Sequence, residues 1–147
     1  MLCKEIMTRH VVSLRPGDKV DGAARRMRDE NIGFAPVCDD ARPVGAITDR
    51  DIALRVCAED RRAGRTRVED VMTRELLTCF ETDQIERAEA LLAQRHKNRI
   101  IVLDGAGRLA GVLSLADVAE HADAQGAMCT IRKVQERELR GHRIARV

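Results

Sequence analysis

Apolar residues along the chain fall into short runs and helical stripes, and the same order occurs twice. Cys3 to Met7 fits one helical turn, and Val11 to Leu14 is a β-branched run predicted as a strand. Pro16-Gly17-Asp18 is turn chemistry with Asp18 as an expected N-cap. Val20, Ala23, Ala24 and Met27 then recur at helical spacing, with Arg25, Arg26, Arg28 and Asp29 on the outer face. Ile32 to Cys38 reads as a strand ending in an Asp39-Asp40 turn, and Pro43 to Ile47 reads as another. Thr48 opens a helix to about Cys57, with Ile52 and Val56 facing inward. After a charged stretch from Glu59 to Arg67, read as a solvated linker, the order repeats. Val68 to Met72 is the turn, Leu76 to Phe80 a strand, and Thr82 or Asp83 the cap of a helix carrying Ile85, Ala88, Leu91 and Leu92. Arg99 to Leu103 and Leu109 to Leu113 are strands, and Ser114 opens a helix to about Ala122.

The correspondence between the halves is residue by residue. Met7-Thr8 returns as Met72-Thr73, Asp18 as Asp83, Ala23 as Ala88 and Val37 as Val102, all at an offset of 65. Gly45 returns as Gly111, which places one inserted residue in the turn between. A lone unit of about sixty residues makes a marginal core, so the two are expected to pack as a pair with clefts along their junction. The expected class is α+β, two βαββα units packed as a pair, plus a short helical tail. The expected layout is a first unit at 2–58, a linker at 59–67, a second unit at 68–122 and a basic tail at 123–147. In that tail Ile131, Val134, Glu138 and Leu139 have rough helical spacing. A solvated helix that frays is the plain expectation for it, and an oligomer contact or a weak anionic-partner site is the alternative.

The chemistry is concentrated in one octet that both halves share. Gly45-Ala46-Ile47-Thr48-Asp49-Arg50-Asp51-Ile52 is answered by Gly111-Val112-Leu113-Ser114-Leu115-Ala116-Asp117-Val118. A hydroxyl residue followed three positions later by aspartate, where a strand meets a helix, is a capping box, and this explains a single copy. The same geometry offers a hydroxyl, a carboxylate and N–H donors to a cleft. A carboxylate so placed can accept both hydroxyls of a ribose, and a helix N-terminus favours phosphate. Two copies, each led by a glycine that permits close approach, favour a ligand site.

Composition narrows the classes. The net charge of +2 with interspersed signs argues against nucleic acid as the main partner. Trp and Tyr are absent and Phe34 and Phe80 are the only Phe residues, which argues against a base-stacking platform for single-stranded nucleic acid. No apolar run has the length of a membrane span, and no secretory signal is visible. The five cysteines are scattered and odd in number, which fits reduced thiols and a cytoplasmic protein. His10, His96, His121 and His142 share no ligand spacing, so no metal site is expected. No nucleophile elbow, P-loop or dinucleotide fingerprint occurs, and no catalytic residue is assigned.

These residues carry a family resemblance. The chain resembles a tandem pair of CBS (cystathionine-β-synthase-type) domains, the Bateman module, over roughly residues 2 to 121. It looks most like short stand-alone bacterial pairs, some of them linked to stress and hypoxia. The matching pieces are Ile6-Met7-Thr8, Val11-Val12-Ser13, Asn31 to Val37 and Val44 to Ile52 in the first half. In the second they are Val71-Met72-Thr73, Leu77-Thr78, Arg99 to Asp104 and Gly111 to Val118. The resemblance implies two βαββα units related by a pseudo-twofold axis, and a non-catalytic regulatory module that needs no cofactor. It implies an adenosine-containing ligand (AMP, ADP, ATP or S-adenosylmethionine), homodimers, and a partner protein that receives the signal. It implies ribose on Thr48 with Asp51 and on Ser114 with Asp117, and base contacts from Ile32, Gly33 and Phe34 in one half and Lys97, Asn98 and Arg99 in the other. Val12, Ser13, Leu77 and Thr78 are further candidates. The sequence departs from the family at Ile101, where proline is usual and Pro36 stands in the first half. Arg50, Lys97 and Arg99 are the expected sources of charge for a phosphate. The alternative is an interaction and oligomerisation module whose octets are capping boxes only.

Overall fold

The computed structural model describes residues 1–121 and 124–144. In chain order the elements are α1 (Cys3–Ile6), α2 (Val20–Asp29), β1 (Phe34–Asp39), β2 (Arg42–Thr48) and α3 (Asp49–Ile52). A π-helical turn (Ala53–Cys57) and a 3-10 turn (Ala63–Arg65) lead to α4 (Val68–Val71). Then come β3 (Thr78–Phe80), α5 (Ile85–Arg95), β4 (Arg99–Leu103), β5 (Leu109–Ser114), α6 (Leu115–His121) and α7 (Ala124–Ile144). The class is α+β, as expected. The boundary expected at 122–123 and the end of the tail at Val147 lie outside the described residues, as do the side chains of Glu138 and Leu139.

The chain divides into two compact units. The first is His10–Leu76 with Gly107–Leu109, and the second is Met1–Arg9 and Leu77–Ala106 with the chain from Ala110 on. Each unit is therefore assembled from both sequence repeats. The opening turn of the first repeat, α1, belongs to the second unit, and that of the second repeat, α4, belongs to the first.

In the first unit β1 and β2 form an antiparallel hairpin, running from Phe34 opposite Thr48 to Asp39 opposite Arg42. Helix α2 lays Val20, Ala23 and Met27 against it, at the spacing read from the sequence. Met72 and Val71 close the core from α4 and the turn after it. Asp18 does not cap α2. Its carboxylate accepts the Arg15 N–H at 2.8 Å, and Lys19, without a side-chain bond, holds the cap position. Asp83 does the same in the second unit, accepting the Phe80 N–H at 2.9 Å, while Gln84 holds the cap position of α5. Both aspartates close the turn before the helix rather than the helix itself. The helix expected from Thr48 to Cys57 is α for four residues and π for five, with N–H groups of Ala58 and Arg61 reaching five residues back. The stretch 59–67 is not wholly solvated, because Thr66 is 3% exposed and its carbonyl accepts the Val20 N–H at 2.9 Å.

The strand expected at Val11 to Leu14 does not form, and the reason lies in Pro36. Leu14 makes a single parallel bridge to Val37, through the Pro36 carbonyl at 2.9 Å and the Cys38 N–H at 2.8 Å. The next bond of such a ladder would run from the N–H of residue 36 to the Val12 carbonyl, and proline has no N–H to give. In the second unit Ile101 stands at that position and donates to the Leu77 carbonyl at 3.0 Å. There β3 pairs with β4 over Thr78–Ile101, Cys79–Val102 and Phe80–Leu103, in a sheet ordered β3-β4-β5.

The second unit packs α5 through Ile85, Ala88 and Leu92 onto Ile100, Val102 and Leu113. Helix α7 is not a short solvated tail. It runs 21 residues and packs on α5 and α6. Val134 is 4% exposed, the Thr130 hydroxyl donates to Glu89, and the His96 ring Nδ1 donates to the Lys133 carbonyl at 2.7 Å. His96 can reach it because it ends α5 in the left-handed conformation, at φ 51°.

Candidate functional site

The first octet forms the capping box its spacing predicts. Strand β2 ends at Thr48, whose Oγ1 accepts the Asp51 N–H at 3.1 Å, and Asp51 Oδ2 accepts the Thr48 N–H at 3.0 Å. Register puts Phe34 opposite Thr48, and the Asp49 N–H donates to the Gly33 carbonyl at 3.1 Å. The half-buried Ile32, Gly33 and Phe34 therefore lie beside Thr48 and Asp51. The Asp49 carboxylate covers Gly33 so closely that a Cβ there would stand 2.8 Å from Oδ2. Arg50 is exposed, and its N–H donates to Asp49 Oδ1 at 2.8 Å. Val12 is half-buried, and no hydrogen bond ties it to the box; Ser13 is exposed and lines a different hollow.

The second octet forms a tighter box. Asp117 Oδ2 accepts both the N–H and the hydroxyl of Ser114, each at 2.7 Å, and the Asp117 N–H donates to Ser114 Oγ at 3.1 Å. The Leu115 N–H donates to the Asn98 carbonyl at 2.9 Å, the counterpart of the Asp49–Gly33 bond. Asn98 and Arg99 thus stand beside Ser114 and Asp117, with Lys97 one residue before, and all three are exposed. Half-buried Thr78 pairs with Ile101, two residues from Arg99, and Leu77 takes the extra ladder bond.

The octet glycines do a different job from the one expected. They admit methionines rather than a ligand. A Cβ on Gly45 would stand 2.9 Å from Met72 Cγ, and one on Gly111 would stand 2.6 Å from the Thr8 carbonyl oxygen and 2.9 Å from Met7 Sδ. The same approach carries backbone pairing. Thr73 and Ala46 exchange N–H···O bonds at 2.8 and 2.9 Å, and Thr8 and Val112 do so at 2.9 and 3.0 Å.

Sequence reasoning missed Arg55. Its guanidinium lies 3.6 Å from Asp51 Oδ1 and donates to the Val71 carbonyl at 2.8 Å and to Thr73 Oγ1 at 3.3 Å. The signal was an acid and a base four residues apart on one helix. At the same spacing from Asp117 stands His121, whose Nδ1 donates to the Asp117 carbonyl at 2.8 Å. Among the described residues Asp117 Oδ1 has no hydrogen-bond or ion-pair partner.

Two adjoining hollows open on the first unit, away from its box. The larger, about 870 Å³, is lined by Ser13, Arg15, Asp18, Arg26, Asp39 and Asp40 among others, and the smaller, about 440 Å³, lies along α2. Among the described residues no group of three or more His, Cys, Asp or Glu is placed to hold a metal ion. No helix among them is long and apolar enough to cross a membrane. All five cysteines are free, and burial pushes the Cys3, Cys38 and Cys79 thiols up from their ordinary value.

Comparison with known proteins agrees with this architecture. The CBS domain signature matches residues 3–57 and again 68–123. The CBS domain-containing protein YhcV of Bacillus subtilis is 36% identical over 116 residues, 79% of this chain and 81% of that one. The inosine-5'-monophosphate dehydrogenase of Methanocaldococcus jannaschii is 30% identical, but the likeness spans 22% of its length. Among solved structures, Hypoxic Response Protein I with two coordinated zinc ions is 25% identical, with TM-score 0.75 over 83% of this chain and 99% of that one. CBSX2 in complex with AMP is 25% identical, with TM-score 0.70 over 82% of this chain and 94% of that one. Signature, relative and fold agree on both halves of the repeat, and the chain belongs to the CBS domain family as a tandem pair.

Proposed function

We propose that the two boxes seat the ribose of an adenosine-containing ligand, and that the chain is a non-catalytic sensor whose ligand state a partner protein reads. AMP, ADP, ATP and S-adenosylmethionine are the ligand class. The observation that carries this reading is the second box, where a half-buried carboxylate keeps one oxygen unshared beside the open Lys97–Arg99 segment. A diol needs an acceptor of that kind at hydrogen-bonding reach. The AMP complex of CBSX2 supports the ligand class. Arg50, Lys97 and Arg99 would meet phosphate charge, and Ile32, Gly33, Phe34, Asn98, Val12 and Thr78 would frame the base. The working form is a cytoplasmic homodimer. A ligand alters what the partner reads only by binding one state of the pair better than another.

A second reading has one observation in its favour: both boxes satisfy their own backbone donors, as pure caps do. In that reading the chain is an interaction module and the boxes bind nothing. Calorimetry with the four ligands separates the two. The sensor reading expects heat from at least one ligand, loss of it in the Asp51→Ala/Asp117→Ala double variant, and weaker ATP binding when Arg50, Lys97 and Arg99 are all alanine. A panel silent throughout leaves the interaction module.

A further inference from the structure

The two boxes share a motif and differ in what stands four residues beyond the aspartate. In the first, Asp51 is 15% exposed and both its oxygens are engaged, Oδ2 by the Thr48 N–H and Oδ1 by the Arg55 guanidinium at 3.6 Å. Arg55 is not free to swing away, because it also donates to the Val71 carbonyl and to Thr73 Oγ1. In the second, His121 occupies the position and turns its ring nitrogen to the Asp117 carbonyl, so Asp117 Oδ1 meets no cation among the described residues. The Ser114 hydroxyl also donates to Asp117 Oδ2, a bond the Thr48 hydroxyl does not make to Asp51.

We propose that Arg55 is a specificity-determining residue that competes with the ribose for Asp51, so that the box at Asp117 fills first and the box at Asp51 second. The inference rests on the reading of the boxes as ribose seats. A ribose hydroxyl donating to Asp51 Oδ1 has to share or displace a guanidinium already there, whereas at Asp117 it meets an open lone pair. Arg55 is 46% exposed, so its ion pair is of the screened surface kind, and the handicap is about two- to fivefold in affinity.

The test isolates each box and titrates it with adenosine and with AMP. In the Asp117→Ala background only the first box remains, and adding Arg55→Met, which keeps the stem, tightens both ligands about two- to fivefold. In the Asp51→Ala background only the second remains, and adding His121→Arg weakens both by a similar factor. Adenosine carries no phosphate, and this gives the pair of ligands its discriminating power. If Arg55→Met weakens AMP and leaves adenosine unchanged, Arg55 is a phosphate ligand and the proposal is wrong. It is equally wrong if Arg55→Met changes neither ligand while both aspartates prove necessary, a result that spares the ribose reading. No binding of either ligand to the wild-type chain overturns the inference and the ribose reading together.

Discussion

Gly111 shows how a single missing side chain can be read two ways. The sequence places it ahead of a hydroxyl and a carboxylate, which suggests room for a ligand. Packing places the Thr8 carbonyl oxygen and Met7 Sδ over it instead. Substituting alanine would press a methyl against backbone that exchanges two hydrogen bonds with Val112. Overpacking of this kind costs about 1–3 kcal/mol, so Gly111→Ala is expected to lower the unfolding free energy by that much, read as a lower urea midpoint at unchanged slope. An unaltered midpoint would mean that the Met7–Thr8 turn is not held there. The buried thiols give a second outcome at this scale. Cys79 and Cys3 hold their protons in the folded state beyond the ordinary thiol value, because burial disfavours the thiolate. Their stabilising effect is complete below about pH 8.5 and is lost as the pH rises above it, where the unfolded chain gives up protons the folded chain keeps. Stability is expected to fall as the pH rises from about 8.5 to about 10.5, and Cys79→Val should flatten that fall. Equal slopes in the two proteins would refute it. The capping boxes were legible residue by residue because hydroxyl, spacing and carboxylate are all local. Arg55 was not legible as a neighbour of Val71 and Thr73, since those contacts join residues 16 and 18 positions away.

At the scale of elements, local pattern served the helices better than the first strand. The stripes on α2 and α5 bury the residues their periodicity marks, Val20, Ala23 and Met27 in one and Ile85, Ala88 and Leu92 in the other. Val11 to Leu14 has strand composition and forms no strand, because its partner position is Pro36 and a ladder needs two donors. The matching run at Thr78 to Phe80 does form one, opposite Ile101. Strand formation there is decided by the partner, which no window around the run contains. The same holds for α7. Its composition suggests solvent, and its burial is set by α5, which lies some forty residues earlier in the chain (Glu89 against Thr130, for example). Val134→Ala removes two buried methyl groups and is expected to cost about 2 kcal/mol of unfolding free energy, read from a urea melt. A tail that merely frayed would give no change.

At the scale of the molecule, the repeat was the most informative feature of the sequence and also the one most in need of the structure. Constant offset revealed two equivalent halves, but the compact units take α1 from one repeat and α4 from the other. Such an exchange is invisible to a pattern read in order, because each turn is equally plausible beside either sheet. It places the Met-Thr turn of each repeat against the octet strand of the other, Met72 over Gly45 and Met7 over Gly111. Each candidate ribose seat is thereby continuous with a segment from the other half of the chain. The account depends on a sugar diol resting on these carboxylates, and the most direct measurement is a crystal structure of the chain grown with AMP. The expected result is ribose hydroxyls within hydrogen-bonding distance of Asp117, with Asn98 near the base and Arg99 near the phosphate. AMP seated instead in the hollow of Arg15 and Arg26, with both capping boxes empty, would contradict it.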